Sequence, residues 1–166
     1  FSHMFGGKTH QVAIDLADKL AEMIPMDDAV LSFGNSGSDA NDTHIKLLRY
    51  YHNAIGKPER RKIIARERSY HGVTVAAASL TGLPVTQNHF DLPVDALGIL
   101  RTDHPHYYRG KQGQESETEF VDRIVDNLES MIIREGPDTI AAFIAEPITG
   151  ASGVIVPPQG YYQKVQ

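Results

Sequence analysis

The sequence contains no cysteine. This absence excludes a disulfide-stabilised scaffold, a thiolate nucleophile and a zinc site built on cysteine. An excess of basic residues is also lacking, because 16 Lys and Arg stand against 21 Asp and Glu, for a net charge of −5. A chain without a basic field does not gather nucleic-acid phosphates, so we expect no nucleic-acid partner.

Long apolar runs are missing as well. None approaches the roughly 20 residues that a membrane-spanning helix needs, and the first six residues lack the basic and apolar regions of a signal peptide. We therefore expect no membrane partner and a cytoplasmic location. The chain starts with Phe1 instead of Met and stops at Gln166 where a helical pattern begins, which we interpret as an excerpt from a longer protein.

Short apolar runs alternate with amphipathic helical patterns along the chain. The runs predict three strands, at residues 29–33, 62–66 and 139–145. Apolar spacings of three and four predict helices at residues 9–25, from Ser36 to about Gly56, up to about Leu80, and behind Ser116, where Glu119 completes a capping-box pattern. Residues 82–115 are rich in Gly, Pro, Asp and His and are predicted to be mostly loop. This order is typical of an α/β fold with three layers, in which helices cover both faces of a mostly parallel sheet.

Each predicted strand is followed by residues that suit a binding site. Residues 34–38 follow the first strand, residues 70–72 follow the second, and Glu146 with a glycine-rich loop follows the third. Ligands of open parallel sheets bind beyond the carboxyl ends of the strands, so we expect these segments to form one site.

The segment Ser36-Gly37-Ser38 opens directly into a helix. Unpaired amides at a helix N-terminus, with two hydroxyls beside them, form a receptor for a phosphate or carboxylate. No Lys follows the glycines as in a P-loop, and the spacing is not that of a dinucleotide fingerprint, so a monophosphate fits best. The alternative is an ordinary helix cap.

Two further side chains stand out at the strand ends. Gly72 allows a close backbone approach, so Tyr70 can lie flat on a planar ligand. Glu146 follows an apolar strand, where a carboxylate is usually paired or functional. The alternative is that Tyr70 and His71 are packing residues. The spacing of His104 and His106 beside Asp103 also permits a metal site, although no third ligand is fixed by spacing.

Three motifs in this order resemble class III aminotransferases, which use pyridoxal 5'-phosphate (PLP). Residues 35–43 are similar to the family's phosphate loop, residues 69–72 to its aromatic motif, and residues 145–153 to its E-P-x-x-G block. The resemblance runs from about Phe5 to Tyr162. It implies that residues 1–166 are part of the large PLP-binding domain of a fold type I enzyme, with the N- and C-terminal portions absent.

The resemblance also implies residue roles. The cofactor phosphate binds the Gly37 and Ser38 amides near Ser36, Tyr70 covers the pyridine ring with His71 beside it, and Glu146 orders the hydrogen bonds near the ring. The implied substrate-pocket residues are Met4, Phe5, Val73 and Ala151. Family members are dimers with active sites at the interface, so a homodimer is implied.

The implied reaction moves an amino group from an omega-amino acid or amine to a keto acid such as pyruvate. The small Ala151 resembles the omega-amino acid and amine:pyruvate branch, whereas Ser152 departs from that branch's usual Gly. No Lys of this chain lies in the context of the family's Schiff-base Lys, which falls beyond Gln166, so we expect the chain alone not to catalyse transamination. The alternatives are a PLP decarboxylase or racemase, a non-enzymatic phosphate-ligand binding domain, and a metal hydrolase built on His104 and His106.

Overall fold

The α/β prediction is confirmed in a computed structural model that describes residues 6–166. Contacts divide the chain into one unit that ends at Gly34 and a second from Asn35 to Gln166. In the first unit, helix α1 spans Gln11–Ala21. Its cap is His10, whose Nδ1 accepts a hydrogen bond from the Ala13 amide at 3.2 Å. The helix predicted at residues 9–25 is therefore shorter at both ends.

The second unit contains the sheet and the remaining helices. The helices are α2 (Gly37–Ala54), α3 (Val75–Leu80), α4 (Tyr107–Gly110), α5 (Glu117–Glu135) and α6 (Tyr161–Val165), and the strands are β1 (Lys62–Arg66), β2 (Ile99–Thr102) and β3 (Ile140–Ile144). Short 3₁₀ turns lie at Pro84–Thr86, Asp95–Leu97 and Pro137–Thr139.

The three strands form a parallel sheet in the order β2-β1-β3. In the middle strand, Ile63 is in register with Ile99 on one side and with Ala142 on the other. Because all three strands run in the same direction, their carboxyl ends meet at one edge of the sheet. That edge is where the sequence predicts a ligand site.

Within residues 6–166, the structure lacks one predicted strand and contains one that was predicted as loop. Residues 29–33 form no strand and pair with none in the part of the chain that the structure describes, and Val30 is 96% exposed. An apolar run becomes a strand only where a neighbour satisfies its backbone groups. Conversely, β2 lies inside the segment predicted as loop. The sequence did not indicate this strand, because it has only four residues, two of which are Arg101 and Thr102, and so shows no periodic pattern.

Helices cover both faces of this sheet. On one face, Ile63 packs in a cluster with Ile45 of α2 and Leu80 of α3. Side chains alternate along a strand, so Ile64 and Arg66 point to the opposite face. There the guanidinium of Arg66 lies 6.0 Å from the ring centre of Tyr161, which belongs to the cluster that α5 and α6 form. The second unit therefore has the predicted three layers.

Helix α5 begins with the predicted capping box. The amide of Glu119 donates to Ser116 Oγ at 3.3 Å, and the amide of Ser116 donates to the Glu119 carboxylate at 2.8 Å. Two amides that the first turn leaves without partners are thereby satisfied. Among residues 6–166, no helix combines the length and the apolar character that a membrane crossing requires.

Truncation of the central strand tests this core. Ile64 is fully buried in β1, whereas Ile133 of α5 is 65% exposed. We expect Ile64→Ala to lower the free energy of unfolding by about 2–5 kcal/mol, because it removes buried methyl groups and leaves a cavity. Ile133→Ala is the matched control and is expected to cost less than about 1 kcal/mol. Denaturant titration measures both, and equal losses would contradict the assigned core.

Candidate functional site

The N-terminus of α2 presents free amides to an open space. The cap residue Ser36 is extended, with φ −164°, and its Oγ accepts from the Asp39 amide at 3.1 Å. The Asp39 carboxylate accepts from the Asn35 amide at 3.0 Å, so the side chain of Asp39 in turn satisfies the residue before the cap. The amides of Gly37 and Ser38 donate to no acceptor among the described residues, and a Cβ on Gly37 would meet nothing within 4 Å.

The aromatic loop lies directly against this helix start. A Cβ on Gly72 would come within 2.4 Å of Ser38 Oγ, so only glycine allows the approach. Ser38 Oγ accepts a hydrogen bond from the Val73 amide at 3.0 Å. Asn41 donates from Nδ2 to the His71 carbonyl at 2.6 Å. The first two sequence motifs are therefore locked together by side chains of α2.

A carboxylate one turn along α2 extends this lock. Asp42 Oδ1 accepts from Thr74 Oγ1 at 2.8 Å and from the Ala77 amide at 3.1 Å. Thr74 is also the N-cap of α3. Because Asp42 lies four residues after Ser38, both side chains project from the same face of α2. That face holds the backbone from residue 71 to residue 77.

Glu146 joins the third motif to the second. Its Oε1 accepts from the Tyr70 amide at 2.9 Å, and its Oε2 accepts from the Gly150 amide at 3.3 Å. The ring of Tyr70 remains free to contact a ligand, since the residue is 40% exposed. The start of α2, the loop that carries Tyr70 and the loop after β3 therefore meet at the carboxyl edge of the sheet.

His71 differs from its neighbour Tyr70 in being buried. It is 7% exposed, and its amide donates to Thr81 Oγ1 at 2.9 Å. Burial and the nearby charges of Arg66 and Arg101 lower the pKa of His71 from 6.5 to about 4, so the ring is neutral at pH 7. Its burial favours the packing alternative for His71, and the role beside a cofactor ring stays a prediction.

Two of the residues expected to line a substrate pocket, Val73 and Ala151, are exposed. Val73 is 72% exposed and borders a cavity of about 400 Å³ whose other walls are mostly apolar. Ala151 lies in a turn closed by Thr149 and Ile155, which exchange two backbone hydrogen bonds of 3.0 and 2.9 Å. Ser152 donates from its hydroxyl to the Arg68 carbonyl and attaches this turn to the chain before Tyr70. Met4 and Phe5 lie outside the described residues.

Several residues that organise the site were missed in the sequence. Asn41, Asp42 and Thr149 lie inside the motifs at residues 35–43 and 145–153, but no role was predicted for them, because their partners are distant in the chain. Arg66 is fully buried beneath the site. A charged residue directly after the apolar run Ile63-Ile64-Ala65 was the one available signal for Arg66.

His104 and His106 lie next to each other, with ring centres 6.1 Å apart. Burial and the charge of Arg66 lower the pKa of His104 to about 4. Within residues 6–166, no group of three His, Cys, Asp or Glu side chains converges in a way that would hold a metal ion. The geometry therefore lends no support to the metal-hydrolase alternative.

Comparison with known families identifies related sequences over the whole chain. The sequence model described as aminotransferase class-III matches residues 1–166. The chain is 50% identical to gamma aminobutyrate transaminase 3, chloroplastic, of Solanum lycopersicum, with all of this chain and 32% of the relative covered. It is 49% identical to probable gamma-aminobutyrate transaminase 3, mitochondrial, of Oryza sativa, again over 32% of the relative. The chain thus spans about a third of the length of these relatives.

Solved structures of related proteins have the same fold. The omega transaminase from Pseudomonas jessenii in complex with PMP superposes with a TM-score of 0.95 at 52% identity, over all of this chain and 36% of that one. A transaminase with L-ala gives a TM-score of 0.95 at 56% identity, over 100% and 39% of the two chains.

The comparisons correct one prediction. The curated relatives described above are chloroplastic or mitochondrial by name. The cytoplasmic location expected from the sequence is therefore wrong. The expectation rested on the lack of long apolar runs and of signal-peptide features in the first six residues, and the chain spans only about a third of these relatives.

The buried ring of His71 predicts a dependence of stability on pH. Its pKa is about 4 in the folded chain, against an ordinary value of 6.5, so the unfolded state binds more protons between these limits. Stability is present above pH 6.5 and is lost as the pH falls toward 4, at about 1.4 kcal/mol per pH unit. We expect His71→Gln to reduce the loss in unfolding free energy between pH 7 and pH 5 by about 2 kcal/mol.

Denaturant titrations of the wild type and His71→Gln at pH 8, 7 and 5 measure this effect. The value at pH 8 isolates the cost of the substitution itself, since the imidazole is then neutral in both the folded and the unfolded chain. An equal pH dependence in the two proteins would contradict the burial of a neutral ring.

Proposed function

Because the chain belongs to the class III aminotransferase family, whose sequence model matches all 166 residues, we propose that the full-length protein is an omega-type transaminase. It moves an amino group from an omega-amino acid or amine to a keto acid such as pyruvate. The observation that carries the proposal is the junction of three motifs, in which Ser38 accepts from Val73 and Glu146 accepts from Tyr70.

Members of this family use PLP, and one solved relative is in complex with PMP. The residues present fit such a cofactor. The amides of Gly37 and Ser38 have no acceptor among the described residues, lie at the positive end of α2 and suit a phosphate. The exposed ring of Tyr70, held on the adjoining loop, suits a planar heterocycle.

The chain's own residues bind and orient rather than carry out the bond changes. When bound, the cofactor supplies the electron sink that transamination requires. Gly37 and Ser38 fix the anionic end, and the hydroxyl of Ser36 is committed to the cap of α2. The ring of Tyr70 would contact the planar part of the cofactor, while Glu146 keeps the Tyr70 backbone in place.

We assign substrate selection to two exposed apolar residues, Val73 and Ala151. Val73 and Ala151 carry no charge and are open to solvent in the described residues. A small residue at Ala151 leaves room for an amine substituent, which supports the omega-amino acid or amine:pyruvate type. We assign Met4 and Phe5 to the same pocket on the resemblance alone.

The same reasoning covers assembly. We propose that residues 1–166 are part of the large PLP-binding domain, and that the full-length protein is a homodimer with its sites at the interface. The family resemblance supports both, and the chain spans 32% of a curated relative, which leaves most of such a protein outside it.

Substitution of Tyr70 tests the cofactor site. In the full-length protein, Tyr70→Phe keeps the flat ring and is expected to change the dissociation constant for PLP less than about threefold. Tyr70→Ala removes the stacking surface and is expected to weaken binding about tenfold. Tyr108→Ala is the control, because Tyr108 is 80% exposed and is not among the site contacts. Fluorescence or absorbance titration measures the dissociation constant of all three variants. Equal losses of PLP affinity for Tyr70→Ala and Tyr108→Ala would contradict the assignment of Tyr70 to the cofactor site.

A donor panel tests the reaction. The full-length protein with PLP is supplied with pyruvate and either gamma-aminobutyrate or a simple primary amine, and alanine formation is followed. We expect alanine with at least one donor, together with a visible absorption band that bleaches with the amine and recovers with pyruvate. Release of CO₂ or racemisation without alanine would favour the decarboxylase or racemase, and failure to bind PLP would favour a non-enzymatic phosphate-binding domain.

A further inference from the structure

We propose that Arg66 is the positioning residue of this site, because its buried guanidinium holds the segment that in turn fixes Tyr70, Glu146 and Ala151. The proposal concerns how the predicted cofactor and substrate residues are kept in place. The effect of Arg66 on cofactor binding rests on the proposed function, whereas its effect on the loop geometry does not.

Arg66 reaches three oxygen atoms that all belong to the chain after β3. It ends β1 and is fully buried. Its Nη2 donates to the Glu146 carbonyl at 2.7 Å and to Thr149 Oγ1 at 3.2 Å, and its Nη1 donates to the Tyr162 hydroxyl at 3.1 Å. One side chain on the middle strand thereby fixes a loop, a turn and helix α6.

The acceptors of Arg66 are neutral. None of the ion pairs formed by residues 6–166 involves it, and its Nε has no partner among them. A buried charge without a counter-ion is costly, and replacing buried ions by apolar residues of similar size is often neutral or stabilising. Stability alone therefore does not account for an arginine here. The planar guanidinium of arginine accounts for it, because its several N–H groups can donate to several acceptors at once.

The first path from Arg66 leads to Tyr70. Arg66 and the Tyr162 hydroxyl both donate to the carbonyl of Glu146. The carboxylate of Glu146 accepts from the amide of Tyr70 at 2.9 Å. Loss of the Arg66 contact frees the Glu146 backbone, so the position of the Tyr70 loop becomes less defined.

The second path leads to Ala151. Thr149 is fully buried, accepts from Arg66, and exchanges backbone hydrogen bonds with Ile155. The turn that this pair closes carries Ala151, and its first amide after Thr149, that of Gly150, donates to Glu146. Arg66 therefore controls the base of the turn whose tip is predicted to meet the substrate.

Amide hydrogen exchange tests the loop geometry without any cofactor. The variants are Arg66→Met, which removes charge and donors, and Arg66→Lys, which keeps the charge but not the fork. In the full-length protein we expect the amides of Tyr70 and Gly150 to exchange about 10- to 100-fold faster in Arg66→Met, the range for losing hydrogen bonds to a charged group. Arg66→Lys is expected to fall in between.

Lys62→Met is the matched control. Lys62 begins the same strand and donates to the carbonyl and carboxylate of Glu135 at 3.1 and 3.0 Å, at the opposite end of β1. It is expected to leave exchange at Tyr70 and Gly150 unchanged. Uniform acceleration in Arg66→Met across β1 and α5, or none at Tyr70 and Gly150, would overturn the proposal.

Milder variants keep the test decisive if Arg66→Met does not fold. Thr149→Val and Tyr162→Phe each remove one partner of Arg66 and nearly preserve shape. Each is expected to accelerate exchange at Gly150 or Tyr70 by about 3- to 10-fold, the size of one hydrogen bond. Unchanged exchange in both would overturn the proposal.

The affinity for PLP links Arg66 to the cofactor. We expect Arg66→Lys to bind PLP about tenfold more weakly than the wild type, because the ring-contacting loop is less ordered before binding. Unchanged affinity would overturn this link. A wild type that does not bind PLP would refute the proposed function instead, and the exchange rates would still decide the role of Arg66 in the loops.

Discussion

The close approach of Gly72 to Ser38 is the contact on which the rest of the site depends. A single added carbon at Gly72 would overlap Ser38 Oγ, so the aromatic loop and the start of α2 meet only because residue 72 is glycine. The Val73 amide then uses Ser38 Oγ as its acceptor. The free amides of α2 and the exposed ring of Tyr70 are consequently held at a fixed separation before any ligand arrives, which reduces the entropy that binding must overcome.

Backbone groups make most of the contacts at this junction, and side chains serve as their partners. Ser38, Asn41 and Asp42 of α2 each bind main-chain atoms of residues 71–77, and Glu146 binds the amides of Tyr70 and Gly150. The negative charge of Glu146 is thereby shared with two peptide dipoles. Such an arrangement fixes loop positions accurately, because each polar side chain has its hydrogen-bond capacity occupied by a neighbouring segment.

The sequence predicted the elements whose signals are local. The 18 residues of α2 and the 19 residues of α5 were predicted with their caps, and β1 with its bounds. What failed was short or depended on distant neighbours. Residues 29–33 have a strand's composition but no partner among the described residues, whereas β2 has a partner and hardly any pattern. In the site, the motif residues were found from their order along the chain. Arg66 and Asp42 contact residues at least 32 positions away, and no local pattern predicts those partners.

The residues proposed to bind the cofactor and those proposed to line the substrate pocket differ in their surroundings. The proposed cofactor contacts rest on helix geometry, a required glycine and buried hydrogen bonds, which tolerate little change. Val73 and Ala151 are exposed, and their side chains accept no hydrogen bonds, so replacing them disturbs none of these contacts. This chain is 50% identical to a relative named gamma aminobutyrate transaminase and 52% identical to an omega transaminase. Substrate preference is expected to change through these exposed positions while the buried contacts beneath them stay the same.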